Sequence, residues 1–341
     1  MKLASIDIGT NSTRLLIVDY HKAEFRPLVR KMEITRVGRN LEKTGKISTS
    51  SAEKTLKVLS YYQQLVRKES VNKYKAVGTS AIRQASNSDW FLSYIYKNLG
   101  MTVEVIKGEE EARLSFYGAV RDMNIDQILP KINEFGNINY QGYKVDKLSN
   151  KNEINYRDKS NNKNILVIDI GGGSSEFILG SYNFSPVLAE SLNIGCVRLI
   201  EKFVNSNPPG IDDLNGMCTY IRSKLKNIAE KIKKNNFLFI VGLAGTITTL
   251  AAIDLKLKEY SRERIHHHLL SLGKIKKIYK SLCNLNLQER KKVIGLEPER
   301  ADVIIGGTAI VLEVMGLLGE NIIVVSENDI LDGIIYSLVD F

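Results

Sequence analysis

An eight-residue pattern occurs twice in the chain and leaves few folds open to it. Ser5-Ile6-Asp7-Ile8-Gly9-Thr10-Asn11-Ser12 and Val167-Ile168-Asp169-Ile170-Gly171-Gly172-Gly173-Ser174 each read as a buried strand, an aspartate near its end, and a turn of glycine and hydroxyl residues. A second strand follows each turn, Arg14–Asp19 in one case and Ser174–Leu179 in the other. Two copies of one strand-turn-strand device argue for an internal duplication of an α/β unit. The length of 341 residues suits two domains, each able to bury its own core.

The rest of the chain alternates strand and helix patterns, as α/β folds do. Ser50–Lys68 reads as a helix, with Leu56, Leu59 and Leu65 on one side. Lys75–Val77 reads as a strand stopping at Gly78-Thr79-Ser80, and Thr102–Ile106 as another. Gly108–Val120 reads as a helix whose first turn carries Glu109, Glu110 and Glu111, which suits the positive end of the helix dipole. Residues 121–163 hold nine asparagines and little periodicity, and read as a connector or loop. Beyond them come a long helix over Gly210–Lys233, a strand Phe237–Val241 running into a turn, a helix Glu299–Leu318, a strand Asn321–Val325 and a closing helix Asp329–Val339. The expected domains are therefore 1–120 and 164–325, joined by 121–163, with the helix at about 326–341 packing back on the first.

Composition narrows the function classes. No run of about 18 apolar residues is present, so no membrane span is expected, and the N-terminus lacks the long apolar stretch of a signal peptide. Cys196, Cys218 and Cys283 lie far apart without a C-x-x-C spacing, which suits a reduced, cytoplasmic setting. The net charge of +10 favours anionic partners without naming one. The basic helix face Arg222–Lys234 reads as solvated. The run His266-His267-His268 reads as loop or strand, because adjacent side chains diverge from a common ion.

Three glycine turns, Gly9–Thr13, Gly171–Ser175 and Gly242–Thr248, each end an apolar strand. Glycine lets backbone N–H groups point into one concavity, and Ser, Thr and Asn add donors with little bulk, as a phosphate chain requires. A G-x-x-x-x-G-K-[ST] loop is absent, and Gly171-Gly172-Gly173 leads into a strand where a dinucleotide fold needs a helix. Asp7 and Asp169 end buried strands beside the turns, so donors or a cation should meet them. Next to phosphate, Mg²⁺ held by one or two carboxylates is the natural cation. Glu176 reads either as a further cleft carboxylate or as an exposed or salt-bridged strand residue. The Glu109–Glu111 cluster is a pool of bases for orienting an attacking water, or a set of dipole-stabilising surface residues.

Six ordered motifs resemble the exopolyphosphatase / guanosine pentaphosphate phosphohydrolase family. They are the paired turns, Val77–Ala85, Gly108–Leu114, Asn193–Arg198, Gly242–Thr248 and Gly295–Asp302. The resemblance implies two duplicated ribonuclease-H-like domains of the actin/Hsp70/sugar-kinase type around a phosphate-binding cleft. It implies a phosphohydrolase that releases terminal phosphate from inorganic polyphosphate or pppGpp with Mg²⁺, or Mn²⁺ in its place. Glu111 then activates water, and Asp169 and Glu176, with Asp7 as a further candidate, attend the metal. Asn11, Ser12, Thr13, Arg83, Gly172, Gly173, Ser174, Ser175, Gly245 and Thr246 are the implied phosphate contacts. A polyphosphate or guanosine nucleotide is the implied substrate, a homodimer is the implied assembly, and neither a specific nucleic acid nor a membrane is an expected partner. Longer relatives append helical regions that grasp long polymers, so the chain resembles the short members. Leu331 stands where the family's C-terminal signature commonly has arginine. A non-catalytic polyphosphate or alarmone sensor, and a small-molecule phosphotransferase, stay open as alternatives.

Overall fold

The computed structural model describes residues 1–135, 164–181 and 185–339. The chain opens with an antiparallel meander of β1 (Lys2–Ile8), β2 (Thr13–His21) and β3 (Glu24–Glu33). There follow α1 (Leu41–Thr44), α2 (Thr49–Lys68), β4 (Lys73–Gly78), α3 (Ser80–Gln84), α4 (Ser88–Leu99), β5 (Glu104–Val105), α5 (Gly108–Val120) and α6 (Ile125–Phe135). These strands form one sheet in the order β3-β2-β1-β4-β5, with β1, β4 and β5 parallel.

The meander then repeats as β6 (Asn164–Ile170), β7 (Ser175–Ser181) and β8 (Ser185–Leu192). After it come α7 (Cys196–Phe203), α8 (Ile211–Lys233), β9 (Ile240–Leu243), α9 (Ala244–Asp254), α10 (Arg262–Ile265), β10 (Leu269–Ser271), α11 (Leu272–Cys283), α12 (Leu287–Arg290), α13 (Ile304–Leu318), β11 (Ile322–Val325) and α14 (Ile330–Ser337). The second sheet runs β10-β11-β9-β6-β7-β8, with β6, β9 and β11 parallel. Its strands β8-β7-β6-β9-β11 match the first sheet in order and direction, and β10 is an added edge. The molecule is therefore two related α/β halves, as the repeated turn implies.

Burial on both faces of β1 and β6 explains their unbroken apolar character. Helix α2 starts where the Ser48 hydroxyl accepts the Ser51 N–H, and it buries Ala52, Thr55, Leu59, Tyr62 and Val66 at helical spacing. Two other helices change places between the halves. Ala112, Phe116 and Ala119 of α5 pack with Ile165, Val167 and Ile178 of the second sheet. Leu331 and Ile335 of α14 pack with Leu3, Leu16 and Val18 of the first. The two helices cross backbone to backbone: a Cβ on Gly118 would overlap the Asp329 carbonyl, and one on Gly333 would overlap that of Leu114.

Three local expectations need correction. Residues 125–135 are a helix, because Ile125, Ile128, Leu129 and Ile132 fall at helical spacing and bury against the second sheet; the connector expected over 121–163 otherwise lies outside the described residues from 136 on. The third turn is instead a direct passage from β9 into α9, made by Ala244 in the left-handed region at φ 64°. Helix α13 starts at Ile304, since Pro298–Arg300 forms a separate 3-10 turn.

Candidate active site

The two glycine turns are built alike. Gly9 N–H donates to Ser12 O at 2.9 Å, and Gly171 N–H to Ser174 O at 3.0 Å. Across β1–β2 Asp7 opposes Arg14, and across β6–β7 Asp169 opposes Glu176. The turns meet face to face. A Cβ on Gly173 would lie 2.7 Å from Thr10 Oγ1 and 2.8 Å from Ser80 Oγ, so a larger residue there would force the turns apart. The carboxyl ends of β4 and β9 bring Thr79, Ser80, Gly245 and Thr246 to the same place, the end of a parallel sheet where ligands bind. The result is a cleft of about 360 Å³ between the halves.

Six buried carboxylates line it: Asp7, Glu111, Asp169 and Glu176 on the floor, with Glu327 and Asp329 beside them. Glu111 Oε2 accepts a hydrogen bond from Arg83 at 2.9 Å; burial pushes its carboxyl up to about 7, with Arg83 opposing the shift. Asp169 Oδ2 accepts from Ser115 at 2.7 Å, and burial raises its carboxyl to about 6. Glu176 is 1% exposed, so it is not the surface strand residue that its sequence context also allowed. Its Oε1 accepts from Ser191 at 2.7 Å, and burial, with Glu111 and Asp169 adding like charge, lifts it well above the usual range. Asp7 is raised by burial and held back by Arg14, whose Nη2 and Nε lie 2.6 and 3.0 Å from Oδ2.

The remaining candidates divide. Asn11, Ser12, Gly172, Gly173, Ser174, Gly245 and Thr246 line the cleft, and Asn11 Nδ2 is buried there with no hydrogen-bond partner. Thr13 and Ser175 do not. Thr13 Oγ1 pairs with Thr35 Oγ1 at 2.9 Å and Ser175 Oγ donates to Ile194 O at 2.7 Å, both inside the core. Each adjoins a cleft-facing strand residue, Arg14 or Glu176, and successive side chains on a strand face opposite ways. Arg83 stands behind Glu111, donating to it and to Ile106 O at 2.8 Å, outside the cleft lining.

Sequence reasoning missed Thr10, Thr79, Ser80, Arg14, Arg30, Tyr260 and Arg300 among the lining residues. Arg14 had a signal, for it sits seven residues after Asp7 as Glu176 does after Asp169. Arg30 had none. It reaches from β3 to bind both Asp332 oxygens at 2.8 and 2.6 Å, while Leu331 points into the core beside Leu3 and Leu16. The C-terminal motif thus receives a guanidinium from another strand.

The floor fits a hard divalent cation. Asp7 Oδ1 is buried without a partner, and Asp7, Asp169 and Glu176 offer only oxygen donors. Asp169 and Glu176, adjacent across the strands, are the residues that would hold it; Arg14 already occupies Asp7 Oδ2. Among the described residues, three ligand-type side chains crowd within 4.8 Å only at Asp122, His266 and His267. That cluster is poorly made for an ion. His266 Nδ1 accepts the Glu327 N–H at 3.1 Å, which leaves the proton on Nε2 facing Asp122 at 3.0 Å. The two imidazoles stack at 3.8 Å, so their in-plane lone pairs do not converge.

The model of the Ppx/GppA phosphatase family matches residues 6–129 and 154–340. Exopolyphosphatase 2 of Mycobacterium tuberculosis is 31% identical over 350 residues, covering 99% of the chain and 98% of that protein. A bifunctional 3-dehydroquinate synthase/phosphatase of Fusobacterium nucleatum is 34% identical, but the chain spans only 46% of it. A guanosine-5'-triphosphate,3'-diphosphate pyrophosphatase of Aliivibrio fischeri is 24% identical, and the chain spans 59% of it. The crystal structure of the Aquifex aeolicus Ppx/GppA family member covers 99% of the chain and 97% of its own at a TM-score of 0.73 and 29% identity.

Proposed function

The chain belongs to the Ppx/GppA phosphatase family, and we propose that it hydrolyses the terminal phosphoanhydride of inorganic polyphosphate or of guanosine pentaphosphate. The observation that carries this is Glu111: a buried carboxylate at the cleft floor, fixed by Arg83, with its proton affinity raised into the neutral range. A base of that affinity takes a proton from water at neutral pH.

Glu111 accepts the proton as the water oxygen attacks the terminal phosphorus, and the bridging oxygen leaves on the far side with its electron pair. Orthophosphate and a chain one phosphate shorter result. Gly9–Ser12 and Gly171–Ser174, with the unpaired amide of Asn11, line the cleft in which the phosphate oxygens would lie. Asp169 and Glu176 would hold Mg²⁺ or Mn²⁺, which would supply charge neutralisation for those oxygens. Near-complete coverage of the relative named exopolyphosphatase, against partial coverage of the guanosine pyrophosphatase, favours polyphosphate.

The test is orthophosphate release from short polyphosphate and from pppGpp with Mg²⁺ present. Wild type is expected to turn over at least one, and Glu111→Ala to lose about 10²-fold or more in kcat. Equal rates for the two proteins would remove Glu111 from its role, and binding without release would favour a sensor.

A further inference from the structure

We infer that Ser115 is a positioning residue that ties the base helix to the metal-binding carboxylate, an inference resting on the function proposed above. Ser115 lies four residues after Glu111 on α5, so the two share one face of the helix. It is 0% exposed, and its hydroxyl donates to Asp169 Oδ2 at 2.7 Å.

A buried hydroxyl inside a helix ordinarily donates to the carbonyl four residues back. Among the described residues, Thr55 Oγ1 bonds Ser51 O at 2.7 Å and Thr308 Oγ1 bonds Ile304 O at 2.8 Å in this way. Ser115 has a single hydroxyl hydrogen, and it goes across to β6 instead. The bond therefore serves Asp169 rather than the helix.

The consequence for Asp169 is a restrained carboxylate: Oδ2 accepts from Ser115, and the same side chain lines the cleft. Because α5 is rigid over one turn, the same bond sets the distance between Glu111 and Asp169.

The experiment compares Ser115→Ala and Ser115→Thr with wild type. Mn²⁺ affinity is read by electron paramagnetic resonance on the protein alone, and phosphate release from short polyphosphate is measured in parallel. Removing an outer-shell hydrogen bond to a metal ligand typically costs 10–100-fold in affinity. Ser115→Ala is expected to weaken Mn²⁺ binding about tenfold and to lower kcat, with KM close to wild type and an unchanged melting midpoint. Ser115→Thr, which keeps the hydroxyl, is expected to recover both readouts to within about threefold. Mn²⁺ affinity and kcat in Ser115→Ala equal to those of an active wild type would overturn the inference while leaving the phosphohydrolase reading intact. So would equal losses in Ala and Thr variants. An inactive wild type that still shows the Mn²⁺ difference would overturn the phosphohydrolase reading and keep the role of Ser115.

Discussion

Arg14 and Glu176 occupy the same position in the two halves of the molecule. Each lies seven residues after the turn aspartate and directly opposite it across an antiparallel strand pair, Asp7 with Arg14 and Asp169 with Glu176. One half therefore holds a closed ion pair where the other holds two like charges side by side. A single charge inversion at one register position thus separates two otherwise matching turns.

Arg14 should be structurally costly to lose. It donates to Asp7 and to Asp329, all three groups being largely buried. Arg14→Ala leaves two carboxylates buried without their partner, and breaking such a network costs about 3–5 kcal/mol. Urea unfolding of the variant should show that loss; a change under about 1 kcal/mol would mean that water replaces the guanidinium.

Turnover should carry an acid limb. Burial lifts Glu111 to about 7, so kcat should rise with pH through that value as the carboxylate ionises. A pH–rate profile of the wild type should show the limb, and the residual activity of Glu111→Gln should not.

Stability of the metal-free protein should fall as pH rises. Asp169 has a folded value of about 6 against 3.8 for the free side chain, and Glu111 about 7 against 4.5. A raised folded value means full stability below about pH 4, lost progressively as pH passes 6 to 7. The neutral amide introduced by Asp169→Asn leaves no charge to bury at that position. In EDTA, Asp169→Asn should be more stable than wild type at pH 8 by about 1–3 kcal/mol, and the advantage should vanish at pH 4. An advantage of the same size at both values would contradict the assignment.

Gly118 and Gly333 should tolerate no side chain. A methyl group on either meets a backbone carbonyl of the crossing helix, which cannot move as a flexible side chain would. Gly118→Ala and Gly333→Ala should each cost about 1–3 kcal/mol or more. Since α5 carries Glu111, folded preparations should also lose activity, read as kcat at a temperature well below the melting midpoint.

Local patterns carried most of the architecture. The paired turns implied the duplication, and the strand order of the two sheets repeats it. Asp169, Glu176 and Glu111 were legible because each stands in a motif whose spacing survives folding. Thr13 and Ser175 could have been set aside by strand alternation alone, since the neighbour of a cleft-facing residue must face the core. Arg30 and the placement of α5 against the second sheet had no local signal, since they rest on contacts far along the chain, such as Arg30 with Asp332 and Ser115 with Asp169; the closing helix, whose Leu331 carbonyl accepts from Ser5, was expected to pack back on the first half.

That exchange of helices also bears on how the protein is made. The first sheet is complete once β5 has emerged, yet among the described residues Leu331, Ile335, Leu338 and Val339 pack on the face formed by Leu3, Leu16 and Val18. During synthesis this apolar surface waits uncovered for more than half of the chain. The two halves are thus interlocked rather than serial. A nascent chain truncated before residue 330 should be a client for chaperones, and ribosome-bound chains should reach native protection against proteolysis only after that segment clears the exit tunnel.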